Sequence, residues 1–190
     1  MRWFTKRLHR PAGDPLTVSM SGLKLGDRLL MVGCGDAPLM AALTSKVGLT
    51  GRACMVDESA DRTAQAAVAV EKDGALVETF TSPLTTLPFE RDAFDVVVAR
   101  NVLPLVPPEL RPAVVGEMTR VVRPGGRCLV IDDVGKGALG GLIGAPRDGV
   151  APPASTVTAL LSAAGFRGVR TLAEREGTSF VEGVKPGQPA

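Results

Sequence analysis

The chain has 190 residues, 45% of them hydrophobic and 22% charged, with a formal charge of +2. That size supports one well-buried domain rather than two, and so small a charge excess speaks against a general nucleic-acid binder. No stretch has the length of an apolar membrane span, and the first residues lack the apolar core and small-residue cleavage site of a signal peptide.

The opening segment MRWFTKRLHR concentrates Arg2, Lys6, Arg7 and Arg10 beside Trp3, Phe4 and Leu8. Two readings fit residues 1–10: a weak contact with an anionic membrane surface or partner, or a solvated terminal segment. Residues 1–25 read as a lead-in able to act as a lid, residues 26–185 as the folded domain, and 186–190 as a tail.

Arg28 to Val32 reads as a short apolar strand. Ala37 to Val47 reads as a helix, with Leu39, Leu43 and Val47 four apart on one face. Arg52 to Val56 forms the next strand, closing on Asp57, and Ser59 caps an alanine-rich helix running to about Lys72. Ala75 to Phe80 and Phe94 to Ala99 supply a third and a fourth strand. Pro107 or Pro108 opens a helix through Val122, with Pro112 near its first turn, where a missing N–H is tolerated. Pro124-Gly125-Gly126 stops that helix, and Arg127 to Ile131 is a fifth strand. Residues 133–154, rich in glycine and proline, read as a loop. A last helix begins at about Ser155 and stops at Gly165. Val169 to Leu172 and Ser179 to Val184 then pair around Glu174-Arg175-Glu176-Gly177.

Strand–helix alternation with continuous apolar strands predicts a parallel sheet covered on both faces, a three-layer α/β sandwich. The terminal hairpin adds an antiparallel strand, and ligands of such folds sit at the carboxyl ends of the strands. Cys34, Cys54 and Cys128 are far apart and show no metal-ligand spacing. Cys54 and Cys128 lie in apolar runs and read as buried reduced thiols, which points to a cytoplasmic protein.

The turn Gly33-Cys34-Gly35 follows the first strand, and Asp57 at the end of the second is placed to accept ribose hydroxyls. Either a nicotinamide dinucleotide or S-adenosylmethionine could use such a turn. Residue 38 discriminates between them. A dinucleotide fingerprint places a third glycine there, and this chain has Pro38, which removes an N–H from the helix start where pyrophosphate seeks donors.

From about residue 22 to 185 the chain resembles class I S-adenosylmethionine-dependent methyltransferases, in particular the small-molecule branch of the ubiquinone/menaquinone-biosynthesis type. The stretches that carry the likeness are LLMVGCGDA, ACMVDES, LPFERDAFDVVVARNVLPLV and EMTRVVRPGGRCLVID, with LLSAAGFRGVRTLAEREGTSFVEGVK similar to the closing helix and hairpin. The resemblance implies a Rossmann-like seven-stranded sheet of order 3-2-1-4-5-7-6 with the seventh strand antiparallel. It implies that Gly33, Cys34 and Gly35 approach the cofactor and that Asp57, followed by Glu58, holds the ribose. Arg100, Asn101 and Val102 would line the pocket beyond the fourth strand. The family often has an acid two residues before the first glycine, where this chain has Met31, which reads as core packing, and its third turn glycine falls at Ala37. The acid that binds the adenine amino group in many members would fall near Ser82-Pro83-Leu84, and none is present; Ser82 offers one hydrogen bond in its place.

In-line methyl transfer asks mainly for alignment and desolvation, with a general base when the acceptor is acidic. His9, the sole histidine, is one candidate base. Asp132 and Asp133, after the fifth strand, are others, although adjacent strand residues point to opposite faces. A magnesium role for this pair lacks a third ligand, and no metal site is assigned. Arg100 reads either as an ion-pair partner, for example of Asp95, or as an anion-orienting group. The sequence therefore predicts a methyltransferase acting on a small or lipophilic molecule. The alternatives are a non-catalytic methyltransferase-like binding or assembly protein, motivated by Met31 and the missing adenine acid, and an NAD-dependent oxidoreductase.

Overall fold

A computed structural model describes residues 15–133 and 151–187. The basic segment 1–10 with His9, most of the glycine-rich stretch (134–150) and the last three residues lie outside the described residues.

Alternation builds the sheet. Helix α1 (Pro15–Met20) precedes strand β1 (Arg28–Val32), followed by α2 (Ala37–Val47), β2 (Arg52–Asp57), α3 (Ala60–Lys72), β3 (Glu78–Thr81) and β4 (Phe94–Arg100). Then come α4 (Arg111–Val121), β5 (Val122–Asp133), α5 (Ala154–Ala163), β6 (Arg167–Arg175) and β7 (Thr178–Val184). The strands form one sheet in the order β3-β2-β1-β4-β5-β7-β6. β1 to β5 run parallel to one another, while β7 is antiparallel to both β5 and β6. This is the expected three-layer sandwich.

The period of two along each strand divides the core between the two faces. Leu30, Val32, Val97, Ala99, Cys128 and Val130 meet Val115 and Met118 of α4 and Val157 and Leu161 of α5. Leu29, Met31, Met55, Val98, Leu129 and Ile131 meet Leu39, Met40 and Leu43 of α2 and Ala66 and Val70 of α3. Met31, the residue that departs from the family pattern, is fully buried in this second cluster. It packs as core, where an unpaired carboxylate would be costly.

Several boundaries differ from the sequence reading, for local reasons. β3 begins at Glu78 rather than Ala75, because the Ala75 N–H turns back to the Val70 carbonyl and pairing with β2 starts at Cys54–Glu78. Residues 107–110 form a turn closed by the Leu110 N–H on Pro107 O, so α4 starts at Arg111 with Pro112 in its first turn. β5 extends back through Pro124-Gly125-Gly126 to Val122, with a register shift between Phe94 and Val96. That bulge brings backbone close to backbone: a Cβ on Gly126 would stand 2.8 Å from the carbonyl oxygens of Asp95 and Arg123. The hairpin β6–β7 turns at Glu176-Gly177, both with positive φ (53° and 81°), the geometry that suits two-residue hairpin loops.

Candidate active site at the carboxyl edge

Four loops meet above the carboxyl ends of β1, β2, β3 and β4, and an open cavity lies between them. Gly33 and Gly35 from the first loop, and Asp57, Glu58 and Arg62 from the second, form one side. Leu84, Arg100, Asn101, Val102, Leu105 and Val106 close the other. Backbone bonds tie the loops to the sheet: Gly33 N–H donates to Val56 O (2.8 Å), Ser82 N–H to Asp57 O (3.0 Å) and Asn101 N–H to Ile131 O (2.9 Å).

The two turn glycines serve different ends. Gly33 has φ +92°, and a Cβ there would lie 2.9 Å from both Arg100 O and the Val102 side chain; it is glycine so that β1 and β4 can pack. At Gly35 a Cβ would meet nothing within 4 Å, so a ligand in the cavity can approach bare backbone.

Asp57 is buried and saturated. Its Oδ2 accepts the Cys34 N–H (2.9 Å) and its Oδ1 the Ser59 N–H (2.9 Å). The Arg62 guanidinium donates through Nε to both oxygens (3.0 and 3.1 Å) and through Nη2 to Oδ1 (2.6 Å). Burial opposes ionisation, yet the Arg62 guanidinium and the Cys34 and Ser59 amides outweigh it, and the carboxyl is held below its ordinary value. A carboxylate offers about four acceptor positions, so a ribose can take Asp57 only by displacing Arg62. Arg62 is half-exposed and has room to leave.

The start of α2 is closed to phosphate. Asp36 is its N-cap and accepts the Leu39 N–H (3.1 Å), with Pro38 in the first turn. A carboxylate therefore occupies the place where an anionic ligand would seek donors. Asp36 also ion-pairs with Arg100 (3.2 Å).

Arg100 is nearly buried and committed. Besides Asp36 it pairs with Asp133 through Nη1 (3.0 Å) and Nη2 (3.2 Å). Asp133 further accepts from Asn101 Nδ2 (2.9 Å) and Thr178 Oγ1 (2.9 Å). The expected partner Asp95 is corrected: it sits at the opposite end of β4 and pairs with Arg28 and Arg123. Against the cost of burial, Arg100 and Asn101 hold the Asp133 carboxyl below its ordinary value, which makes it a weaker base than a free carboxylate. Asp132 points to the other face, as alternation requires. It is fully buried and among the described residues neither of its oxygens has a hydrogen-bond partner, so burial pushes it up to about 7 despite Arg100.

Of the residues that the sequence nominated, Gly33, Gly35, Asp57, Glu58, Arg100, Asn101 and Val102 converge on the cavity. Cys34 contributes its amide to Asp57 from a buried position, and burial raises its thiol to about 11. Ser82 is not in the cavity wall; its hydroxyl donates to Thr86 O (2.8 Å) within its own turn. Asp132 and Asp133 are likewise outside the wall. The sequence reading missed Arg62, Leu84, Leu105 and Val106, and it overlooked Asp36 as a cap. The cap had a legible signal, an Asp directly before Ala-Pro-Leu; the others had none. Among the described residues no group of three His, Cys, Asp or Glu side chains could hold a metal ion, and no helix is long and apolar enough to cross a membrane.

A doubly wound sheet with a glycine turn and an acid at adjacent strand ends defines an α/β domain with its cavity at the carboxyl edge, and the Asp36 carboxylate occupies the start of α2. The chain belongs to the methyltransferase domain family, whose profile matches residues 29–126. It is 34% identical over 121 residues to the chloroplastic 2-phytyl-1,4-beta-naphthoquinone methyltransferase of Arabidopsis thaliana, covering 62% of this chain and 46% of that protein. It is 36% identical over 120 residues to the demethylmenaquinone methyltransferase of Bacillus cytotoxicus, covering 61% of this chain and 48% of the relative. The chain thus spans about half the length of the curated relatives that it matches. In fold it is similar to a SAM-dependent methyltransferase from Aquifex aeolicus, with TM-score 0.76 and 24% identity over 91% of this chain and 90% of the other.

Proposed function

We propose that the chain is an S-adenosylmethionine-dependent methyltransferase acting on a small lipophilic acceptor of the quinone class. The observation that carries the reading is the cavity itself: bare backbone at Gly35 and the ribose-type acid Asp57 meet where strands β1 and β2 end. The residues present suit this cofactor better than a dinucleotide, because it carries no phosphate and its charge is cationic, as the carboxylate at the α2 cap prefers.

When bound, S-adenosylmethionine supplies an electrophilic methyl group for in-line displacement. Asp57 exchanges Arg62 for the ribose hydroxyls and orients the sugar. Asn101 and Val102 form the wall beyond β4, with Asn101 fixed by its bonds to Asp133. Leu105 is 59% exposed while lining the cavity together with Leu84, Val102 and Val106. This apolar rim supports a lipophilic acceptor, as do the quinone methyltransferases among the relatives. The free, buried cysteines support a reducing, cytoplasmic setting.

A second reading, a non-catalytic methyltransferase-like binding protein, is favoured by one observation, the hold of Arg62 on Asp57. Titration calorimetry separates the two. The enzyme reading expects micromolar binding of S-adenosylmethionine and S-adenosylhomocysteine, and no heat at millimolar ligand overturns it.

A further inference from the structure

Around the cavity the carboxylates are engaged, and the next one along β5 is not. Asp57 is held by Cys34, Ser59 and Arg62, and Glu58 accepts the Leu84 N–H (3.1 Å). Asp36 caps α2 and pairs with Arg100, and Asp133 takes Arg100, Asn101 and Thr178. Asp132 is fully buried, and among the described residues neither of its oxygens has a hydrogen-bond partner. An unbonded buried carboxylate costs stability, and no contact among the described residues offsets it. A cost that packing leaves unexplained points to function.

Asp132 stands directly behind the cavity wall. Asn101, a wall residue, donates its N–H to Ile131 O (2.9 Å) and accepts the Asp133 N–H at Oδ1 (2.8 Å), so it brackets Asp132 from β4. On the face of β5 that Asp132 shares, Val130 packs in one cluster with Val102, Leu103 and Val106. Val102 and Val106 also line the cavity. Their turn is closed by the Leu105 N–H on Val102 O (3.0 Å) and by Arg111 Nε on Val106 O (3.0 Å), and Leu105 within it is exposed. The charges acting on Asp132 are Arg100 of β4, Arg111 of α4 and Asp133 of β5. β7 sets the uncharged Ser179 opposite it, and α5 adds Ala154 and Val157 to the same cluster.

We propose that Asp132 is the general base of the methyl transfer: the acceptor's hydroxyl enters past the 102–106 turn and gives its proton to the Asp132 carboxylate. The O–H bond breaks, its electron pair stays on the acceptor oxygen and conjugates into the ring, and the proton moves to an Asp132 oxygen. As the ring carbon takes the methyl group, the pair of the S–CH3 bond leaves with sulfur. The ring carbon's own proton then passes to water, and Asp132 returns its proton to the acceptor oxygen. The inference rests on the S-adenosylmethionine reading above and adds the proton acceptor that an acidic acceptor needs. Burial places the group at about 7, where a carboxylate is both ionised and basic enough to act.

The test uses the full chain, S-adenosylmethionine and two probe acceptors. These are 1,4-naphthoquinol and 2-hydroxy-1,4-naphthoquinone, whose hydroxyl is already ionised at neutral pH. With the quinol, wild-type kcat/KM is expected to rise with pH through about 7. Asp132→Asn is expected to lower it about 100-fold or more, to lose that rise, and to keep its S-adenosylhomocysteine affinity in calorimetry. With the ionised probe the same variant is expected to stay within about threefold of wild type, since no proton has to be taken. Infrared titration of the free protein reads the group itself, as a carboxylic acid band that disappears through about pH 7 in wild type and is missing from the variant. A melting temperature at pH 8 no lower than that of wild type verifies the fold, and Asp132→Ser is a second variant with the same expectations. Equal losses with both probes, an unchanged rate with the quinol, or no such band overturns the role of Asp132 while the cofactor reading stands. Wild type that binds S-adenosylhomocysteine and leaves the quinol unmethylated overturns the acceptor class, and this inference with it. No binding of S-adenosylhomocysteine overturns the cofactor reading itself.

Discussion

Asp57 and Asp132 are both buried carboxylates at carboxyl ends of strands, and they behave in opposite ways. Asp57, at the end of β2, is 5% exposed; Asp132, at the end of β5, is fully buried. Depth is nearly the same, and the partners differ. Asp57 stands against two loop amides and a guanidinium that hold its charge, while Asp132 faces the α4–α5 side with neither oxygen bonded among the described residues. Burial alone does not set the state of a carboxylate; the donors that the neighbouring loops deliver do.

The largest expected effect breaks the Asp57 side. Asp57→Asn removes the charge that the Cys34 and Ser59 amides and Arg62 all address. Hydrogen bonds to charged groups contribute roughly 1.5–3 kcal/mol, so denaturant melts should show a stability loss of about 2–3 kcal/mol by the same measure. Because the folded carboxyl titrates below its ordinary value, that loss is expected in full above about pH 4 and shrinks as acid protonates the wild type. S-adenosylhomocysteine affinity should fall about tenfold or more. Unchanged affinity would show that the ribose is held elsewhere.

Asp132→Asn sharpens the comparison with the opposite sign. A carboxyl raised from 3.8 to about 7 binds its proton more tightly folded than unfolded. Its ionisation therefore costs stability progressively from about pH 4 to 7. The cost by linkage is about 4 kcal/mol, and an unsatisfied amide would return roughly 1–3 kcal/mol of it. The variant is expected to be about 2 kcal/mol more stable at pH 8 and equal to wild type or weaker near pH 4. Arg100 and Arg111 act on Asp132 in one direction and Asp133 in the other. A flat difference between pH 4 and 8 would mean that Asp132 has a partner in solution.

The smallest effect concerns the cover on Asp57. The Arg62 side chain is 50% exposed, and pairs so open to solvent contribute about 0–1 kcal/mol. Arg62→Ala should cost the free protein no more than that and tighten S-adenosylhomocysteine binding up to about fivefold, since the ribose no longer competes for Asp57. Weaker binding in calorimetry would show that the guanidinium stays and helps hold the ligand.

The sequence by itself determined the sheet order, the positions of β1, α2 and β2, and the convergence of Gly33, Asp57 and Arg100 to Val102. Those features follow from local signals: hydrophobic periodicity, glycine at a turn, an acid at a strand end, and motifs whose order resembles one family. It also separated Asp132 from Asp133, because a strand alternates. Only the tertiary structure decided what each polar group meets. Arg62 on Asp57, Asp133 rather than Asp95 on Arg100, and Glu58 on Leu84 join residues from different elements, through side chains whose directions no local pattern encodes. Met31 is a different case: the sequence marked it as a departure and read it as core, and its full burial against α2 agrees. Hydrophobic pattern is a one-dimensional signal and specifies the layers; the pairing of charges depends on where loops return in space.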